Sequence, residues 1–131
     1  MNIYADRGNL LVLQRRCDWR GIGFELAASG LGESFDAGAH DLIYIGGGQD
    51  RDQLLCAQDL IETKCEPLRE AAAAGTVVLG VCGGYQLLGH SYELEGETIP
   101  GIGLLDLHTV RGDGPRAVSY THLTLPTKRI V

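Results

Sequence analysis

Residues 77–86 read VVLGVCGGYQ, an apolar run followed at once by a cysteine and two glycines. The run predicts a buried strand over 77–81 that stops at Cys82, and the glycines predict a sharp turn into a helix. Such a turn lifts a nucleophile out of the backbone and needs neighbours without a Cβ. Unpaired N–H groups at the start of the helix would favour a thiolate, so Cys82 is the candidate nucleophile. The alternative is an inert, buried cysteine beside a tight turn.

Composition limits the possible function classes. The chain has 131 residues, 44% hydrophobic and 21% charged, which predicts one globular domain. A net charge of -6 argues against nucleic acid or anionic membrane as partners, because both require clustered Lys and Arg. No apolar stretch approaches the ~20 residues of a membrane span and no signal pattern is present, so we expect a cytoplasmic protein. Cys17, Cys56 and Cys65 show no metal-site spacing and are expected to be reduced structural thiols.

The rest of the sequence alternates between helix and strand patterns. The predicted elements are a helix over 9–20 closed by Gly21, a strand over 23–27, a strand over 42–45 ending in a glycine loop at 46–48, a helix from Asp50 or Asp52 that Pro67 interrupts before it ends at Gly75, a hairpin or loop over 95–100 and a strand over 104–110. This order predicts an α/β fold with an open, mostly parallel, doubly wound sheet of the flavodoxin-like type. Active crevices of such sheets lie beyond the carboxyl ends of the strands, so the glycine loop and Cys82 are predicted to be neighbours.

Several separated motifs resemble one enzyme family. GGGQD (46–50) and VCGGYQLLG (81–89) are similar to class I glutamine amidotransferases of the cobyric-acid-synthase-like branch. NIYADRGN (2–9), RRCDWRG (15–21) and GIGLLD (101–106) most resemble the glutaminase subunits, of the GatD type, of lipid II isoglutaminyl synthases.

The resemblance extends over residues 2–118 and implies the class I glutamine amidotransferase fold together with a reaction. Glutaminase subunits of this type hydrolyse L-glutamine to glutamate and ammonia. The ammonia passes to a Mur-ligase-like synthetase subunit, of the MurT type, which amidates D-glutamate of the lipid II stem peptide during peptidoglycan biosynthesis. The resemblance therefore implies a heterodimer in which this subunit carries no cofactor and the partner uses ATP and Mg.

The same resemblance implies roles for individual residues. Cys82 attacks the side-chain amide of glutamine and forms a γ-glutamyl thioester. The oxyanion hole takes backbone N–H groups from Gly83 and from Gly48 or Gly47. Arg116 holds the substrate glutamine, and a guanidinium suits its α-carboxylate, although the sequence pattern alone favours a surface arginine.

Both ends of the chain depart from the family pattern. The family takes its catalytic histidine from a strand beyond the residues present here, and none of His40, His90, His108 and His122 is expected to replace it. His40 is predicted at the surface, His90 ~10 Å along the helix axis from Cys82, and His108 buried and merely hydrogen-bonded.

The domain is therefore predicted to occupy residues 1–118. Residues 119–131 resemble translated adapter sequence and are expected to be a non-native tail. The family's first strand precedes the segment that matches residue 1, so we expect this chain to lack it and the sheet to be incomplete. We expect such a fragment to turn over negligible glutamine without its catalytic histidine.

Three other functions are consistent with part of the pattern. The chain could be a non-catalytic glutamine-binding or scaffold subunit of an amidating synthetase, or another cobyric-acid-synthase-like amidotransferase. A nucleotide-binding domain with residues 46–48 as a phosphate cradle is weaker, because the spacing is neither G-x-G-x-x-G nor a P-loop.

Overall fold

A computed structural model describes residues 7–48 and 50–112, and every structural statement below concerns this part of the chain. Its α-helices are α1 Arg7–Asp18, α2 Asp50–Asp59, α3 Cys65–Ala74 and α4 Gly83–Leu88, with a 3-10 turn at Ala37–Ala39 and a π-helical turn at Leu60–Lys64. Its strands are β1 Leu42–Ile45, β2 Val77–Gly80, β3 Ser91–Leu94, β4 Glu97–Pro100 and β5 His108–Thr109.

The first sheet consists of β1 and β2, which run parallel. Leu42 pairs with Val77 at one end and Ile45 with Gly80 at the other. Both predicted strands are thus confirmed, and α2, the π-helical turn and α3 form the crossover that parallel strands require. The N–H of Val81 donates to the Ile45 carbonyl at 2.9 Å, so the pairing continues to the residue before the cysteine.

The crossover helix is interrupted where its hydrogen-bond spacing changes, at the π-helical turn Leu60–Lys64. The predicted interruption is confirmed, but it lies before Pro67 in the sequence. Pro67 lies in the first turn of α3, a position that tolerates proline. Gly75 ends α3 as predicted, in a left-handed conformation (φ 95) that a residue with a Cβ rarely adopts.

The second sheet has the strand order β4-β3-β5. Strands β3 and β4 form the predicted hairpin, and its two turn residues, Glu95 (φ 51) and Gly96 (φ 89), both have the positive φ of the favoured tight turns. The strand predicted over 104–110 is shortened to two residues, which pair parallel to β3.

One hydrophobic core joins the two sheets and the helices that follow β1 and β2. Its buried members are Ile45, Cys56, Ala57, Leu60, Leu68, Leu87, Leu88, Tyr92, Ile99 and Ile102. Helix α1, predicted over 9–20, is present, but it contributes no buried residue.

The prediction of a strand over 23–27 is wrong, since these residues have no regular structure. A strand needs a neighbour for its N–H and C=O groups, and none pairs with them in the described part. The α/β class with a parallel pair is confirmed. The two- and three-stranded sheets do not by themselves make a doubly wound sheet, which stays a prediction. Within the described ranges, no helix is both long and apolar enough to cross a bilayer.

Candidate active site

Cys82 lies in the turn between β2 and α4, in a backbone conformation that side chains rarely adopt. Its φ is 56 and its ψ is -119. A non-glycine residue in such a region costs about 1–3 kcal/mol and persists only where its surroundings enforce it. The surroundings of Cys82 enforce it, because the Val81 N–H is hydrogen-bonded to β1 on one side and the Gln86 N–H donates to the Cys82 carbonyl at 3.2 Å on the other. The cysteine is exposed, so the inert, buried alternative does not apply.

The glycine loop that follows β1 lies directly against the cysteine. A Cβ added to Gly47 would come within 2.9 Å of the Cys82 Cβ, 3.2 Å of its Sγ and 3.5 Å of the Gly83 nitrogen. Only a residue without a side chain allows this approach. The predicted proximity of the loop and Cys82 is therefore confirmed.

Helix α4 begins against the end of β1. A Cβ on Gly84 would lie 2.3 Å from the Ile45 carbonyl oxygen and 2.8 Å from that of Gly46. The Gly84 N–H donates to the Val81 carbonyl at 3.0 Å, which closes the turn around the cysteine. Backbone packing, rather than long side chains, thus sets the distance between the glycine loop and the nucleophile's turn.

The backbone around Cys82 offers hydrogen-bond donors. Gly47, Gly48 and Gly83 donate no N–H bond to another residue of the described ranges. Donors of this kind beside a nucleophile can stabilise an oxyanion, because they are in place before charge develops. The arrangement suits a thiolate that attacks a carbonyl carbon and forms a covalent acyl intermediate.

Sequence reasoning missed Gln53, a buried residue of α2 that is 6% exposed. Its Nε2 donates to the Gly48 carbonyl at 3.2 Å, and a Cβ on Gly83 would lie 2.2 Å from the same nitrogen. One signal was available: Asp50-x-x-Gln53 opens the helix with capping-box spacing, a pattern in which the fourth residue reaches back past the helix start.

The described histidines bond elsewhere. The rings of His90 and His108 stack with centroids 5.0 Å apart, His90 Nε2 lies 3.0 Å from Asp106 Oδ1, and His108 Nδ1 lies 2.8 Å from Ser91 Oγ. His108 is exposed, so its predicted burial is wrong: β5 is an edge strand of two residues. None of these histidines forms a hydrogen bond with Cys82.

Two residues singled out in the sequence, Arg116 and His122, lie outside the described residues, as does the proposed domain boundary at 118. The roles assigned to them stay predictions. The same holds for the individual roles assigned to the glycines and to Cys82, whose positions are known but whose chemistry is inferred.

Comparison with known proteins adds an independent line of evidence. Residues 1–129 match the CobB/CobQ-like glutamine amidotransferase domain. The chain is 37% identical over 110 residues to subunit GatD of lipid II isoglutaminyl synthase (glutamine-hydrolyzing) from Staphylococcus aureus, covering 83% of this chain and 45% of that protein. It is 35% identical over 119 residues to the protein of the same name from Streptococcus pneumoniae, covering 90% and 45%.

A shorter match is to a protein with a different name. Over 52 residues the chain is 56% identical to a probable cobyric acid synthase from Methanopyrus kandleri, covering 34% of this chain and 10% of that protein. The chain spans less than half the length of the GatD relatives, at 45% of each.

Proposed function

The chain belongs to the family of CobB/CobQ-like glutamine amidotransferases, and from this premise we propose that its Cys82 is the nucleophile of a glutaminase, which hydrolyses L-glutamine to glutamate and ammonia. The observation that supports this most directly is the contact between Gly47 and Cys82. It brings an exposed thiol in a strained turn within reach of backbone N–H groups that have no other described acceptor.

The proposed reaction has two halves. The Cys82 thiolate attacks the Cδ of the glutamine side chain, and the carbonyl electron pair moves onto oxygen, where the N–H groups of Gly83 and of Gly48 or Gly47 stabilise it. The oxyanion then collapses, the C–N bond breaks, and the departing nitrogen takes up a proton and leaves as ammonia. Water hydrolyses the resulting γ-glutamyl thioester, which releases glutamate and restores the thiol.

Protonation of the leaving nitrogen needs an acid–base group. No described histidine bonds with Cys82, so we assign this group to a residue outside the described ranges. Arg116, which is also outside them, is proposed to bind the α-carboxylate of glutamine through its guanidinium.

The relatives' names support a proposal for the partner and the pathway. Two GatD proteins are named as subunits of a glutamine-hydrolysing lipid II isoglutaminyl synthase. We propose the same role for this chain: a cytoplasmic subunit without a cofactor of its own that supplies ammonia to a Mur-ligase-like partner. The partner, of the MurT type, would use ATP and Mg to amidate D-glutamate of the lipid II stem peptide.

The test uses the complete reading frame that contains these residues, because the chain spans 45% of its GatD relatives. Glutamate release from glutamine is measured for the wild type, for Cys82→Ala and for Cys17→Ala, whose thiol lies on α1 and serves as the control. We expect Cys82→Ala to lose activity about 10³-fold or more and Cys17→Ala to retain it. Unchanged glutamate release by Cys82→Ala contradicts the proposal.

The match to a probable cobyric acid synthase favours one alternative, a family member that serves a different acceptor. Supplying the ammonia-dependent partner with either a D-glutamate-containing stem peptide or a corrinoid carboxylate separates the two. A non-catalytic glutamine-binding or scaffold subunit makes a third prediction, namely that partner activity with glutamine survives Cys82→Ala.

A further inference from the structure

Gln53 is a polar side chain buried between the two backbone segments of the candidate site. It comes from α2, is 6% exposed, and donates from Nε2 to the Gly48 carbonyl at 3.2 Å. Burying an amide costs free energy unless hydrogen bonds replace those to water. The bond to Gly48 therefore replaces a hydrogen bond to water for the NH2 group of this amide.

The same side chain also touches the start of α4. A Cβ on Gly83 would lie 2.2 Å from Gln53 Nε2 and 2.7 Å from its Cδ, so the amide packs directly over the Gly83 backbone. Gly48 and Gly83 are, with Gly47, the residues whose N–H groups are candidates for the oxyanion hole. One side chain thus contacts both halves of that hole.

The glycine loop needs such a contact because its residues lack side chains. Glycine backbones have access to many conformations, and nothing but tertiary contacts keeps a peptide group of this loop at one orientation. A bond to the Gly48 carbonyl fixes the peptide plane that follows Gly48, and this restricts the rotation of Gly48 itself.

The amide oxygen of Gln53 differs from the nitrogen in its hydrogen bonding. Gln53 Oε1 is buried and has no hydrogen-bond partner among the described residues. An unsatisfied buried acceptor costs about 1–3 kcal/mol, which an apolar side chain of similar volume would avoid. A residue that served only to fill the core would therefore be better replaced by methionine or leucine.

From these contacts we infer that Gln53 is a positioning residue, which keeps the glycine loop and the start of α4 in the one arrangement where the N–H groups of Gly48 and Gly83 can act together. This inference rests on the proposed function, since an oxyanion hole has a purpose only in acyl transfer. Gln53 acts through the backbone and makes no covalent contribution.

The test compares two thiol reagents on the complete reading frame. A chloroketone analogue of glutamine carries a carbonyl whose oxygen needs the oxyanion hole, whereas iodoacetamide alkylates a thiol without forming an oxyanion. Gln53→Met keeps the volume and removes the amide, and Gln53→Glu keeps the shape and removes the donor. Gln58→Met is the matched control, because Gln58 lies on the same helix, is exposed, and donates to Glu62 Oε1 at 3.0 Å, away from the glycine loop.

We expect both Gln53 variants to react with the chloroketone about 10- to 100-fold more slowly, since a misplacement of roughly 1 Å costs that much. Their reaction with iodoacetamide should stay near the wild-type rate, and Gln58→Met should match wild type with both reagents. In glutamine turnover, kcat should fall with KM little changed, because the oxyanion forms only in the transition state and the tetrahedral intermediate, and not in bound glutamine.

Three outcomes overturn the inference. The first is a wild-type chloroketone rate in Gln53→Met and Gln53→Glu. The second is an equal loss of both reagents' rates together with a lower melting temperature, which would make Gln53 a purely structural residue. The third is a wild-type protein in which the chloroketone reacts no faster at Cys82 than at an unfolded thiol. That result removes the proposed function and this inference with it.

Discussion

The turn around Cys82 and the helix α1 are stabilised in different ways. The turn is surrounded by buried backbone, and Gly83, Gly84, Leu87 and Leu88 of α4 all lie in the interior. Helix α1 has no buried residue, and Trp19, which directly follows it, is 74% exposed. The elements that carry the candidate chemistry therefore form one packed unit, whereas α1 contributes little to the core that supports it.

The two regions are connected through the segment that follows α1. Lys64 and Asp59 form a buried ion pair between the π-helical turn and α2. Lys64 Nζ also donates to the Gly30 carbonyl at 2.8 Å, and Asp59 Oδ1 accepts from the Gly32 N–H at 2.7 Å. One charged pair inside the packed unit thus anchors an otherwise exposed loop.

Lys64→Met breaks this connection and gives the largest expected effect. Removal of the ammonium takes the Lys64 partner away from the buried Asp59 carboxylate, which should lower the free energy of unfolding by about 3–5 kcal/mol. Denaturant unfolding of the two proteins measures the loss. The double variant Asp59→Leu/Lys64→Met should recover much of it, and a single variant as stable as wild type contradicts the prediction.

Gly84→Ala tests the packed unit itself. Its new Cβ would lie 2.3 Å from the Ile45 carbonyl oxygen, so α4 must move away from β1, and we expect a loss of about 3 kcal/mol. Gly23→Ala is the control, since a Cβ there meets nothing within 4 Å. Equal melting temperatures for the two variants would mean that α4 is not seated on β1 as described.

Gly47→Ala alters the chemistry more than the stability. The new methyl group would come within 3.2 Å of Cys82 Sγ and 3.5 Å of the Gly83 nitrogen, which forces the loop and the nucleophile apart. We expect the chloroketone to label Cys82 about 10- to 100-fold more slowly. In Gly38→Ala the new Cβ makes only an ordinary 3.5 Å contact with Asp36 Oδ1, and its labelling should equal that of wild type. Equal rates in both variants would show that the loop does not govern access to Cys82.

The same contrast explains what the sequence could predict. Strands β1 and β2 and the turn after each were predictable because short apolar runs end in glycines, and the glycine spacing reflects backbone contacts that leave no room for a Cβ. The hairpin turn at Glu95 and Gly96 was likewise a local signal.

The errors arose where structure depends on a distant neighbour. Residues 23–27 have the composition of a strand but no partner to pair with in the described part, and His108 lies on a strand too short to bury it. Gln53 was missed because its role comes from contacts with Gly48 and Gly83, which a linear pattern shows only indirectly.

Trp19→Ser gives the smallest expected effect and tests the other side of the comparison. Trp19 is 74% exposed, and its main described contact is with the Arg16 guanidinium, 5.8 Å from the ring centroid. An exposed cation–π contact is worth at most about 1 kcal/mol, and we expect the free energy of unfolding to change by about 0.5 kcal/mol or less. Leu68→Ala, at a core position that is 1% exposed, should cost about 2–5 kcal/mol in the same assay. A loss for Trp19→Ser comparable to that for Leu68→Ala would place α1 within the cooperative unit and end the distinction between the two regions.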